Sequence, residues 1–239
     1  MRTFYCFISD ARYDNGKILD WAIFQKYPFF KRYKSNNSIE IGKDKVKKFV
    51  LDIYAKKGRI MEKGLALYPK SWGKLEKEFY LLTDKLFKNN YWPKGKYIAY
   101  LTIWGMYPRF LEDKTFQIPY VHKNKKYVNA VIAHEMLHFK FYDYFLKNYP
   151  KYDKRKNDFL IWDASEIFNV IVQNTPIWLK EFKAATKAYP EHKKITKKLQ
   201  RGYNKKGVFS AKELIEDILK ELESGKNKNL IAIKREKQQ

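Results

Sequence analysis

Residues 126–147 read KYVNAVIAHEMLHFKFYDYFLK, and the middle of that run is His134-Glu135-Met136-Leu137-His138. No Gly or Pro occurs from Lys123 to Tyr149, and Val128, Val131, Ile132 and Leu137 are apolar, so the spacing predicts a long helix over about Lys126–Lys147. On a helix, positions i and i+4 share a face one turn apart. The imidazoles of His134 and His138 can then reach one tetrahedral metal at ~2.0–2.1 Å. Glu135 is rotated by ~100° from His134, where a carboxylate can touch a water bound to that metal. Two of the chain's four histidines fall in this motif. An unliganded pair in so apolar a segment would be costly to bury.

A catalytic zinc needs a third protein ligand and an open fourth position. Cysteine does not supply it: Cys6 is the single cysteine, which also excludes a disulfide within the chain. A packed, inert thiol is the simplest role for Cys6. His122 precedes the helix in a Lys-rich turn. Asp163 and Glu166 lie in a second apolar helix predicted from about Phe159 to Gln173, and His192 lies in the basic segment Glu191–Lys194. An acid inside an apolar helix needs a partner, and for Glu166 the best-placed one would be the metal. Glu166 is therefore favoured, with Asp163 next and His192 last.

Around the motif helix the pattern is mixed. Val46, Phe49, Val50, Ile53 and Tyr54 follow helical spacing, with Asp44 as a cap. Trp72, Leu75, Phe79, Leu82 and Leu86 mark one face of a further helix that ends before Pro93. Tyr97–Trp104 is rich in aromatic and β-branched residues and reads as a strand. Phe116, Ile118 and Tyr120 alternate with Gln117 and Pro119, and Pro119 points to a sheet edge, because proline cannot donate to a ladder. Thr175-Pro176 starts another helix, and Ser210 with Glu213 forms a capping box for a last one over Ala211–Leu222. Thr3–Ile8 is read as a strand and Ile18–Lys26 as a short helix. The class is α+β, with helices dominating after residue 120. Residues 1–70 form an N-terminal extension or lobe of unassigned role, 71–225 the catalytic domain, and 226–239 a polar tail.

The motif His134-Glu135-x-x-His138, followed by an acid on a second helix, resembles the gluzincin group of zinc metallopeptidases over about residues 72–175. That resemblance implies a zincin-like fold: a small, mostly antiparallel sheet, an active-site helix and a helical C-terminal half. It implies zinc held by His134, His138 and Glu166, with Glu135 as the general base that activates a zinc-bound water for peptide-bond hydrolysis. It also implies that an extended substrate lies along an edge strand, here Phe116–Val121. The chain departs from the family in two places. The step from His138 to Glu166 is 28 residues, and the acid expected one turn after the ligand Glu is replaced by Val170. Asn169 or Asp163 then remains to orient a ligand histidine. Tyr142 and Tyr144 follow the motif as candidate oxyanion donors.

Composition bounds the partners. Apolar residues are 45% of 239, enough for a real core. Lys and Arg outnumber Asp and Glu by 50 to 26, a net charge of +24, which favours acidic partners such as nucleic acid or acidic polypeptide. The lysines are spread along the chain, as compositional bias alone would also spread them. The segment Tyr27–Tyr33, which interleaves aromatic and basic residues, would suit base stacking. A basic nucleic-acid-binding or DNA-associated protein in which the motif is structural is thus the alternative function. No apolar run approaches the ~20 residues of a membrane span. The N-terminal run does not fit a signal peptide, so the expected address is the cytoplasm.

Overall fold

A computed structural model describes residues 13–14, 17–18, 34–35, 38–40, 43–88, 91–105 and 107–224. The expected strand Thr3–Ile8, Cys6, the segment Tyr27–Tyr33 and the polar tail lie outside them. Of the expected helix Ile18–Lys26 only Ile18 is described, and it belongs to a strand. The protein is α+β, as expected. No described helix is long and apolar enough to cross a membrane.

The chain divides into two compact units. The first is Met1–Lys70 with Lys96–Val128, and the second is Ser71–Gly95 with Asn129–Gln239. The segment 96–128, expected inside the catalytic stretch 71–225, thus groups with the N-terminal residues.

In the first unit, four short strands form an antiparallel sheet in the order β1-β2-β4-β3: β1 (Tyr13–Asp14), β2 (Lys17–Ile18), β3 (Lys34–Ser35) and β4 (Ser38–Glu40). The helix α1 follows over Lys43–Gly73, running through Pro69. Asp44 falls inside its first turn and not at its cap. A second sheet has the order β5-β7-β6, from β5 (Ile98–Thr102), β6 (Arg109–Phe110) and β7 (Thr115–Pro119). β5 and β7 run parallel along their whole length, Ile98↔Thr115 to Thr102↔Pro119, and only the short β6 is antiparallel. This sheet is mixed and is not mostly antiparallel.

The strand at Phe116–Val121 is also not an edge: β7 is central. Pro119 is tolerated there for a local reason. Tyr120 donates to Thr102 on the β5 side and Gln117 donates to Pro108 on the β6 side. Alternation turns position 119 toward β6, whose pairing stops at Phe116. The missing N–H thus faces no ladder partner. Gly64 of α1 lies so close to this region that a Cβ there would meet the Tyr120 carbonyl at 3.0 Å.

The second unit is helical. It contains α2 (Glu76–Leu86), α3 (Lys125–Asn148, from Asn129 on), α4 (Lys154–Gln173), α5 (Pro176–Phe182), α6 (Lys193–Lys206) and α7 (Ala211–Glu223). α4 starts at Lys154, five residues before the expected Phe159, with a kink at Asn157 (φ −120°, ψ 19°). α4 is the core element: Ile161, Ala164, Ile167, Phe168, Ile171 and Val172 have no exposed surface, and α5, α6 and α7 all pack on it. Phe168 meets Phe141 of α3 at 5.2 Å and Phe87 at 5.6 Å between ring centroids. Phe79 sits among Trp72, Trp92, Trp178 and Phe182. Lys140 of α3 is fully buried, with Nζ 5.5 Å from the Phe87 ring centroid and 5.4 Å from that of Trp92. Burial lowers its pKa, opposed by Asp84 and Asp143.

Caps fix the remaining boundaries. Ser210 accepts from the Glu213 N–H at 3.3 Å, as expected for α7. Thr175 occupies the cap of α5 ahead of Pro176, but its hydroxyl donates back to the Val172 carbonyl at 2.7 Å and does not accept from the helix.

Candidate metal centre

α3 delivers His134, Glu135 and His138, and their ligating atoms lie within 4.8 Å of one another. The two imidazole centroids are 4.7 Å apart. The helix forms here because nothing in the run breaks it, and it is fixed because Ala133, Leu137 and Phe141 are wholly buried on it.

Glu166, two turns before the end of α4, meets the two histidines from the facing helix. Its Oε2 lies 3.2 Å from Nε2 of His134, and its Oε1 lies 3.3 Å from Nε2 of His138. Ligands held at ~2.0–2.1 Å from a tetrahedral zinc stand about 3.3 Å apart. The two carboxylate–imidazole separations are close to that edge length, each made by a different oxygen of Glu166, and nitrogen with carboxylate is a donor set that zinc can take. Access is unequal: side-chain exposure is 17% at His134, 6% at Glu166 and 0% at His138.

The electrostatics follow from burial and this pairing. Burial raises the cost of ionising Glu166, but His138 and His134 outweigh it and hold its pKa well below the ordinary carboxylate value. Burial likewise opposes charging His134, yet Glu166 and Glu135 outweigh it and raise its pKa.

A group that sequence patterns did not single out orients the first histidine. Gln173 Oε1 lies 2.8 Å from Nδ1 of His134, and the same amide donates through Nε2 to the Ala130 carbonyl at 2.8 Å. That second bond fixes which way the amide faces, so Nδ1 of His134 carries the proton toward Gln173 and Nε2 is left for the Glu166 side. Gln173 is seven residues, two turns, after Glu166 on the same helix. Asn169 acts on the backbone: its Nδ2 donates to the His134 carbonyl at 2.9 Å.

The other candidate ligands are engaged elsewhere. His192 Nε2 lies 2.6 Å from Asp163 Oδ1, and both residues are buried. His122 accepts the Asn124 N–H at 3.1 Å and stacks on Tyr127. Of the two tyrosines, Tyr142 has its ring 6.5 Å from that of His138, whereas Tyr144 packs on Phe87.

No family model, curated protein or solved structure matches the chain. The chemistry of the site itself is accordingly what speaks for a function.

Proposed function

We propose that the protein is a zinc-dependent peptidase of gluzincin type, with zinc held by His134, His138 and Glu166 and with Glu135 as general base. The observation that supports this reading is that the two oxygens of Glu166 lie 3.2 and 3.3 Å from the Nε2 atoms of a His-Glu-x-x-His pair on the facing helix. When bound there, zinc supplies the Lewis acidity that activates water and polarises a carbonyl. Glu135 takes the proton from the attacking water and passes it to the leaving amine. Gln173 and Asn169 hold the His134 ring and backbone in register. The test is zinc per chain by mass spectrometry for the parent, Glu166→Ala and Glu135→Ala. One zinc in the parent and in Glu135→Ala, its loss in Glu166→Ala, and cleavage of an unfolded protein by the parent alone are expected. A parent that takes up no zinc after reconstitution defeats the proposal.

A second reading, binding of nucleic acid, is favoured by one face of α6. Lys193, Lys197, Arg201 and Lys205 recur every four residues and are exposed, while Ile195, Thr196 and Tyr203 point into the core. Successive cations then rise by about 6 Å along the axis. The neighbouring Lys198 and Lys206 are paired with Glu221 and Glu213. An apolar insertion face, as a membrane-surface helix needs, is missing from the exposed side. A partner of phosphate chemistry fits this face better than a lipid surface does.

A further inference from the structure

Residues 183–206 read KAATKAYPEHKKITKKLQRGYNKK, with nine Lys or Arg and one acid, Glu191. The whole chain has 50 basic residues to 26 acidic ones. Compositional bias alone would keep that ratio everywhere, so cations are concentrated in this stretch. Lys198 and Lys206 are paired with Glu221 and Glu213. Lys193, Lys197, Arg201 and Lys205 form the exposed stripe of α6.

An aromatic group stands at the head of the stripe. Tyr189 caps the short 3₁₀ turn Pro190–His192, which runs directly into α6. The His192 N–H donates to the Tyr189 carbonyl at 3.0 Å, and the Lys193 N–H donates to the Pro190 carbonyl. Tyr189 thus precedes Lys193 by the same four-residue step that separates the cations.

Tyr189 is 46% exposed, yet its ring is held in place. Its centroid lies 5.3 Å from that of the half-buried Trp162 and 5.7 Å from that of His192. Trp162 and His192 meet at 5.6 Å. His192 is fixed in turn by Asp163, 2.6 Å away and buried with it. A ring whose orientation is set beforehand loses little freedom when a ligand stacks on it.

The two features together discriminate between forms of nucleic acid. A duplex offers phosphates to a row of cations but shows only base edges in its grooves. A single strand offers phosphates and also unstacked base faces, which an exposed aromatic ring can cover. We propose that Tyr189 and α6 form a track for single-stranded nucleic acid. Phosphates follow Lys193, Lys197, Arg201 and Lys205, and one base stacks on the Tyr189 ring. The inference rests on the nucleic-acid reading of α6 given above and adds the strandedness of the ligand. Every base has a π-face, so the track is tolerant of sequence.

Fluorescence anisotropy of the full chain with a labelled oligo-dT of about 16 nucleotides, and with a duplex of equal length, tests it. The single strand should bind more tightly than the duplex at the same salt. Tyr189→Ala should weaken single-strand binding about 5- to 150-fold, the range for one lost stacking contact, and leave the salt slope and duplex binding unchanged. Tyr189→Phe keeps the ring and should match the parent. Lys193→Gln should instead lower the single-strand salt slope by about 0.7. A second measurement needs no variant: an oligonucleotide carrying 5-iodouracil, irradiated on the parent protein, should crosslink to Tyr189 or Trp162. Equal affinity for single strand and duplex, Tyr189→Ala binding equal to the parent's, or crosslinks confined to other residues overturns the stacking track. If single-strand binding is nevertheless lost in the fourfold Glu variant of Lys193, Lys197, Arg201 and Lys205, the nucleic-acid reading of α6 survives that result. Absence of binding to either form at low salt defeats both.

Discussion

Gln173 and His134 share a hydrogen bond of 2.8 Å between Oε1 and Nδ1, and the other end of the amide is tied to Ala130 at the same distance. An amide in this place orients the ring without adding charge. Gln173→Leu is expected to weaken zinc binding about 10- to 100-fold, as loss of such an orienting partner does. Competition against a chromogenic chelator measures it. Affinity equal to the parent would show that His134 is held by something else.

Asp163 and His192 form a buried pair of their own, so neither is expected to hold metal. Asp163→Ala should leave zinc stoichiometry at the parent's value. It should also cost about 3 to 5 kcal/mol of stability, the usual result of stripping one partner from a buried pair. Denaturant unfolding of the metal-free proteins reads the second effect, and a loss of zinc in this variant would return Asp163 to the ligand set.

The alkaline limit of stability is set in part by tyrosines. Tyr152 donates to Glu223 and Tyr203 to Asp217, both at 2.7 Å. Burial, then these carboxylates, raise both phenol pKa values above the ordinary 10.0. The folded state therefore keeps protons that the unfolded chain releases. The stability they contribute is complete below about pH 10 and is lost as pH rises above it. Urea midpoints at about pH 9 and about pH 11 should show a drop that is smaller in Tyr152→Phe/Tyr203→Phe. An equal drop in both proteins would assign the alkaline loss to other groups.

Nucleic-acid binding through α6 predicts a salt signature. Changing Lys193, Lys197, Arg201 and Lys205 to Glu should abolish binding to a DNA oligonucleotide. Single changes should each lower the salt slope by about 0.9. Binding by the fourfold variant as tight as the parent's would remove this face from consideration.

The motif helix was legible because its information is local: a run free of helix breakers with two histidines one turn apart. Glu166 was legible because an acid inside an apolar helix demands a partner. Other features depended on contacts distant in sequence. Gln173 meets His134 across 39 residues, and a neutral amide at a helix end carries no outward sign of that partner. Alternation at Phe116–Tyr120 marked a strand correctly, yet period two is the same for a central strand as for an edge. Pro119 misled because it lies where β6 has stopped, so its missing N–H costs nothing in the centre of the sheet. α1 continues through Pro69, so the helical face read from Trp72 to Leu86 is shared between α1 and α2. The Lys-rich segment 193–206, with Gly202 inside it, was assigned no helix from its pattern, and its order comes from packing Ile195 and Tyr203 in the contacts of α6 with α4 and α7.

Glu166 grips both imidazoles across two helices that Phe141 and Phe168 already pack together. In small zinc domains the metal supplies the folding energy, so that chelation unfolds them. Here the apolar contacts between α3 and α4 do not wait for an ion. With zinc at the proposed site, folding and loading would be separate events, and occupancy would follow the supply of free metal. A chelator would then switch such a protein off reversibly, and returning the ion would restore it without passage through the unfolded chain.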